Sequence, residues 1–438
     1  MQILDTLKNA WRVADIRKKV LYTFLIIAVF RVGSYIPVPF IDVDGLAQSF
    51  GDITSQGNIF NYLSVLTGGA LEYGALFAMS VTPYINASII MQLLAVAIPY
   101  LERLSKEGEE GRKKIAKYTR FCTVILGCIQ GIAFFLYLKN TNLIGWSEAN
   151  YGRFELWFKA IVIIACLTAG SAIVMWLGER IDEKGIGNGI SILLFVGIIS
   201  RAPQAVAALW AMLKAGSTDG KYYFIVPLII VLFLAMIWFV VYMTAAERRI
   251  PVQYAKRVVG RKMYGGSNTY MPVQVNMSGV MPIIFASSIL SIPSTITTFM
   301  TDTTSRTYKF LSLFNYNTSI YGLLYLGLIV AFAYFYVSIQ YNPVDMANNL
   351  RKNSGAVPGI RPGKPTVDYI KNIIRRITLI GALFLGVIAI VPIVMGSIGS
   401  IGMSIGGTSL LILVGVALDT VKQLESQMMM RHYKGFLD

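Results

Sequence analysis

Phosphate chemistry at a backbone cradle is the first possibility raised by residues 180–195, RIDEKGIGNGISILLF, where Gly185, Gly187 and Gly189 surround Asn188. A dinucleotide cradle needs the spacing G-x-G-x-x-G between a strand and a helix, so that backbone N–H groups meet the pyrophosphate at a helix N-terminus. Here the spacing is G-x-G-x-G, charged residues precede it and an apolar run follows. The stretch reads instead as a tight reversal: glycine permits close approach of two helices, and Asn188 stands where a helix cap belongs. Other chemistry has no better footing. Cys122, Cys128 and Cys166 all lie in apolar runs, as small core residues do, and the sole histidine, His432, lies near the C-terminus. That removes histidine-based metal sites and histidine-dependent triads. No Walker loop, metal box or nucleophile–base set is present. The expectation is a protein that is not an enzyme and carries no cofactor or metal.

What remains to be positioned is mostly apolar. Of 438 residues, 55% are hydrophobic and 14% charged, against about 25% charged in soluble domains. A membrane-spanning helix takes about 20 mostly apolar residues. Ten such runs are present, at 20–36, 75–100, 121–138, 154–177, 190–213, 223–246, 280–299, 321–341, 377–398 and 403–421. Outer-membrane barrel strands are about half that long, so the class is an all-α polytopic membrane protein. With the N-terminal side taken as inside, inner segments hold 30 of the 39 Lys and Arg residues and the rest of the chain holds 9, while the acids divide 15 to 8. This is the positive-inside bias, and ten spans leave both termini cytoplasmic. Residues 1–19 lack the apolar core and cleavage site of a removable signal peptide, so the first span is expected to stay in the protein.

Four regions exceed what spanning requires. Residues 37–72 contain no Lys or Arg and include NIFNYLSVLTGGALEYG (58–74), too short to span. It suits either a re-entrant segment inside the protein or an amphipathic helix on the lipid surface. VTPYINASIIMQLL (81–94) places Ile85 and Ile89 on one helical face and buries Asn86, Ser88 and Gln92 in an apolar run. Loop 246–272 carries Arg248, Arg249, Lys256, Arg257, Arg261 and Lys262 against Glu247. Loop 342–376 carries Arg351, Lys352, Arg361, Lys364, Lys371, Arg375 and Arg376 against Asp345 and Asp368, with the non-helical tip GAVPGIRPGKPT. Loops of this length and charge suit an acidic or nucleic-acid-bearing partner. The fourth region is the glycine turn. Arg31 is the one charge well inside the first span, Glu155 and Lys159 lie near the external end of the fourth, and Asp419 lies near the inner end of the tenth. No buried carboxylate relay is visible. These residues alone allow a secondary transporter, a protein-lined passage or a structural scaffold.

Six motifs bear on that choice. PYINASI (83–89), GERIDEKGIGNGISI (178–192), ERRIPVQYAKR (247–257), GVMPIIFASSIL (279–290), GIRPGKPT (359–366) and IGGTSLLI (405–412) together resemble the bacterial SecY family, channel-forming subunits of the Sec protein translocon. The resemblance covers essentially the whole chain. It implies two inversely repeated five-helix halves, 20–213 and 223–421, around a central pore, flanked by cytoplasmic segments 1–19 and 422–438. It implies an apolar pore ring of Ile85, Ile89, Ile190, Leu194, Ile284 and Ile412, with Leu194 standing where isoleucine is frequent. A ring of that kind excludes ions by dewetting and offers a sliding chain no hydrogen bonds. The resemblance further implies a plug at about 58–74 with Ile59, Phe60, Leu63, Val65, Leu66 and Leu71. Polar residues Gln92, Gln130, Asn188 and Ser288 would lie at or beside a lateral gate. Docking residues are expected at Arg248, Arg249, Lys256, Arg257, Arg261, Lys262, Arg351, Lys352, Arg361 and Lys364. Implied partners are the SecE and SecG subunits, the SecA motor ATPase, the ribosome, secretory preproteins, nascent membrane proteins and the lipid bilayer. The implied location is the bacterial cytoplasmic membrane.

Overall fold

The computed structural model describes residues 11, 13–54, 64, 67–144, 153–215, 220, 222–254, 257–259, 262–264, 268–299, 306, 310–311, 313–314, 319–353, 355–399 and 407–434. The expectations on Ile59, Phe60, Leu63, Val65, Leu66, Lys256 and Arg261 lie outside the described residues. In chain order the helices are α1 (Ala14–Gly33), α2 (Val43–Thr54), α3 (Thr82–Ala97), α4 (Pro99–Lys106), α5 (Glu109–Asn140), α6 (Arg153–Lys184) and α7 (Gly189–Ile199). Next come α8 (Ala202–Ala215), α9 (Tyr222–Ala245), α10 (Met281–Phe299), α11 (Ser319–Gln340), α12 (Pro343–Lys352), α13 (Lys364–Gly399) and α14 (Gly407–Lys434). The strands are β1 (Glu247–Tyr254), β2 (Arg257–Val259), β3 (Lys262–Tyr264), β4 (Asn268–Gln274) and β5 (Gly355–Ala356). Each of the ten expected apolar runs holds a described helix. Among the described residues six spans are long and apolar enough to cross a membrane, or seven if the bent pair α3–α4 is one. The chain divides into two compact units, Met1–Val226 with Gly396–Asp438, and Pro227–Met395.

In the first unit, α5 and α6 are each 32 residues long. At ~1.5 Å per residue they exceed a hydrocarbon core of about 30 Å, so their charged ends reach beyond it. Arg120 Nε and Glu179 Oε1, 2.7 Å apart, tie the two helices together near that end. Run 75–100, expected as one span, is not one helix. Ser80 sits at φ 46, and α3 begins only at Thr82, with Pro83 in its first turn, where a missing N–H costs nothing. Pro99 then forces Ile98 out of helical geometry, to φ −107 and ψ 115, and α4 leaves at 106°. Run 190–213 is one span by length and composition, but its helix is interrupted after Ile199. Pro203 explains this, since its ring would clash with the carbonyl four residues earlier, that of Ile199.

The second unit contains the larger surprise. Loop 246–272, expected as a charged loop that docks a partner, forms strands. β1 alternates exposed Arg249, Pro251 and Gln253 with Ile250 and Val252, each 1% exposed, the period of two that a one-sided strand requires. It pairs antiparallel with β4 from Glu247↔Gln274 to Gln253↔Asn268 and with β5 at Gln253↔Ala356 and Tyr254↔Gly355. β2 and β3 form a separate hairpin between β1 and β4 in sequence. The two long basic loops are therefore joined in one sheet, ordered β4-β1-β5. Its buried face, Ile250, Val252 and Val273, packs with Leu350 of α12 and Ile370, Ile374 and Ile377 of α13.

Candidate functional site

The glycine turn positions α7. Gly178 of α6 and Gly189 of α7 meet backbone to backbone: a Cβ on Gly189 would lie 1.9 Å from the Gly178 carbonyl oxygen. Gly187 takes φ +83, a conformation that favours glycine. The orphan N–H groups at the start of α7 are met by side chains. Ser191 N–H donates to Asn188 Oδ1 at 3.1 Å, and Gly189 N–H donates to Asp182 Oδ1 at 2.7 Å. From α1, the Thr23 hydroxyl accepts from Ile186 N–H at 3.2 Å and donates to the Lys19 carbonyl at 3.0 Å. Every group here holds backbone to backbone, and none faces an open anion site. Asn188 acts as the cap its sequence position suggests, while Asp182 and Thr23 escaped notice, one being an ordinary loop acid and the other a remote span residue.

The apolar candidates fall on named helices. Ile85 and Ile89 share one face of α3, which packs mainly on α5, with Ile89 buried and Ile85 half-buried. Ile190 and Leu194 share one face of α7, which packs between α6 and α14; Leu194 and Ile412 of α14 are buried. Thus Ile190, Leu194 and Ile412 stand on adjoining helices. Half-buried Ile190 also has a packing role, because its Cδ1 fills the space a Gly178 side chain would occupy, 2.5 Å from that Cβ position. Ile284 of α10 is half-buried and belongs to the second unit. Among the polar candidates, Gln92 and Gln130 lie half-buried on the packed pair α3 and α5, and Ser288 lies half-buried on α10.

The described part of the external segment, residues 64 and 67–74, is largely buried, with Tyr73 exposed. Ser64, Thr67, Ala70 and Leu71 are buried, and Leu71 belongs to a core with Val38, Leu46, Phe134, Leu138 and Ile163. Here α7 matters again. Arg201, just past its C-terminal end, pairs with Glu72 and donates to the Ser64 hydroxyl.

The described basic candidates lie on β1, β2, β3 and α12 and at the tip that leads into α13. Arg248, Arg351, Lys352, Arg361 and Lys364 are exposed, and exposed Arg249 pairs with Glu247 at 2.8 Å. Arg257 and Lys262 fall in β2 and β3. The tip turns at Gly359 (φ +80) and Gly363 (φ +110) with open space around both. Arg361 and Lys364 thus stand at the start of the 36-residue α13, where two cations add to the positive end of the helix dipole. Such a point attracts anionic groups and gives them a charge-assisted bond. Among the described residues no group of acidic, histidine or cysteine side chains could hold a metal ion.

Long apolar helices, sharp breaks at proline and glycine, and a basic sheet built from two long loops define a multi-pass α-helical membrane protein. Within that class the chain belongs to the SecY family, whose model matches residues 75–421. It is 43% identical over 441 residues to "Protein translocase subunit SecY" of Streptomyces galbus, covering 99% of this chain and 100% of that one. It is 43% identical over 435 residues to the protein of the same description from Thermotoga maritima, covering 98% and 97%. Among solved structures, the fold matches "The structure of a protein conducting channel" with a TM-score of 0.64 at 18% identity, over 94% of this chain and 92% of that one. It also matches "Sec61 in the Canine ribosome-channel complex from the endoplasmic reticulum" with a TM-score of 0.61 at 18% identity, over 94% and 92%.

Proposed function

We infer that this chain is the channel-forming subunit of a protein translocase, passing signal-bearing unfolded polypeptides across a membrane and releasing apolar segments sideways into lipid. The observation that carries this reading is the end-to-end match to translocase subunits, 43% identical over 99% of the chain. The physical features agree with it. Ile85, Ile89, Ile190, Leu194, Ile284 and Ile412 supply large apolar side chains and no hydrogen-bonding group, which suits a constriction that seals by dewetting and lets any sequence slide. Gln92, Gln130, Asn188 and Ser288 supply polar contacts of about 1 kcal/mol, weak enough for a lateral gate to open between them. The external segment around Leu71 acts as the plug. The chain itself performs no catalysis. Its energy comes from a motor ATPase, SecA, or from a translating ribosome, each docked on the basic sheet and the Arg361 tip, and SecE and SecG are its partner subunits. It lies in the bacterial cytoplasmic membrane with both termini cytoplasmic, a placement that the bias of 30 to 9 in Lys and Arg supports.

The test is reconstitution of the purified chain with SecE, SecG and SecA in sealed vesicles. A signal-bearing precursor should become protected from added protease, dependent on ATP and on its signal. Absence of protection with correctly inserted chains would overturn the reading.

A further inference from the structure

The charge cluster between the external segment and α7 is larger than a packing contact needs. Arg201 donates to the Ser64 hydroxyl and pairs with Glu72, and the Ser64 hydroxyl donates to Glu72 Oε1 at 2.6 Å. The cluster is withdrawn from solvent: the side chains of Arg201 and Glu72 are 11% and 21% exposed, and Ser64 is fully buried. A second set of contacts fixes the same two pieces of chain. Gly68 sits at φ +65, and a Cβ there would lie 2.7 Å from Ser200 Oγ and 2.9 Å from the Gly197 carbonyl oxygen. The Ser200 hydroxyl lies 3.4 Å from the Gly68 carbonyl oxygen. A buried pair of opposite charges resists separation, because removing either partner leaves the other desolvated and alone.

α7 is 11 residues long, about 16 Å. It carries Ile190 and Leu194 in its first two turns and this cluster beyond its last. We propose that Arg201 is a positioning residue that latches the external segment to α7, so that the segment stays seated only while α7 holds its resting place. This rests on the channel reading above and adds to it a coupling: a polypeptide that displaces Ile190 and Leu194 also strains the latch at the other end of the same helix. The latch is polar and geometrically specific, so a small displacement of α7 breaks it, whereas an apolar contact would slide.

The test uses the full-length chain in vesicles, with Cys122, Cys128 and Cys166 replaced and Leu71→Cys introduced as a reporter. Leu71 is 3% exposed, so a membrane-impermeant maleimide added on the external side should react slowly. Arg201→Ala should raise the labelling rate about tenfold or more, as loss of a buried charge partner does to the segment it holds. Ion conductance of the idle vesicles should rise with it. Glu72→Gln, which keeps the shape and removes the charge, should act in the same direction, and Arg201→Lys should retain most of the protection. If Arg201→Ala does not fold, Glu72→Gln and Arg201→Lys decide the matter. Unchanged labelling and conductance in folded Arg201→Ala and Glu72→Gln would overturn the latch. Precursor transport by the unaltered chain is read separately, so its failure would count against the channel reading while the labelling ratio still judged the latch.

Discussion

At the scale of single residues, the contact between Gly178 and Gly189 sets where α7 begins. One methyl group on Gly189 would press to 1.9 Å from a backbone carbonyl, which no rotamer change relieves. Gly189→Ala should therefore cost about 1–3 kcal/mol, the usual range for overpacking. It should lower the thermal unfolding midpoint in lipid nanodiscs by several degrees; an unchanged midpoint would show that the two helices do not meet as described. This site was largely legible in the sequence, since G-x-G-N-G states both the need for close approach and the cap. The partners of Asp182, Thr23 and Arg201 were not. Each reads as an ordinary loop or span residue until folding brings to it Gly189, Ile186 or Glu72.

At the scale of elements, hydropathy located the helices but not their breaks. Pro203 lies inside a run whose apolar character continues past it, and Pro99 stands where the run 75–100 gives way to charged residues, so span-counting passes over the end of α7 and reads the 106° elbow only as the end of a span. The sheet was hidden for a different reason. In loop 246–272 the basic residues dominate any reading by charge, yet Ile250 and Val252 already alternate with polar neighbours as a one-sided strand does. The pairing of β1 with β5 joins segments about a hundred residues apart, which no local pattern announces. The sheet gives the basic loops a fixed geometry, and a prediction belongs to it. Arg361→Glu reverses the exposed charge at the start of α13, and should weaken binding of the motor ATPase to vesicles roughly tenfold, about 1.4 kcal/mol. The loss should be larger at low salt than at high salt, while membrane insertion and unfolding temperature stay as in the parent chain. Equal binding at low salt would remove the tip from the docking surface.

For the molecule as a whole, composition alone marks a multi-pass membrane protein, and the excess of Lys and Arg in alternate loops is the basis for the proposed orientation. The family and the channel reading needed more, namely six motifs in order and the end-to-end match to translocase subunits. What the fold adds is an assignment of labour: α7 joins the glycine turn, two candidate ring residues and the external latch, while the second unit carries the basic sheet. The ring remains the central claim, and Ile190 is its sharpest point because that side chain also packs on Gly178. A photo-reactive amino acid at Ile190 tests it directly, in membranes engaged with a stalled, signal-bearing secretory chain, with Leu234 on the exposed face of α9 as control. Adducts to the secretory chain at Ile190 and not at Leu234, lost when the signal is removed, are the predicted result. With the stalled chain confirmed as engaged, no adduct at Ile190 would mean that the side chain serves only to pack α7 against α6, and would contradict the ring.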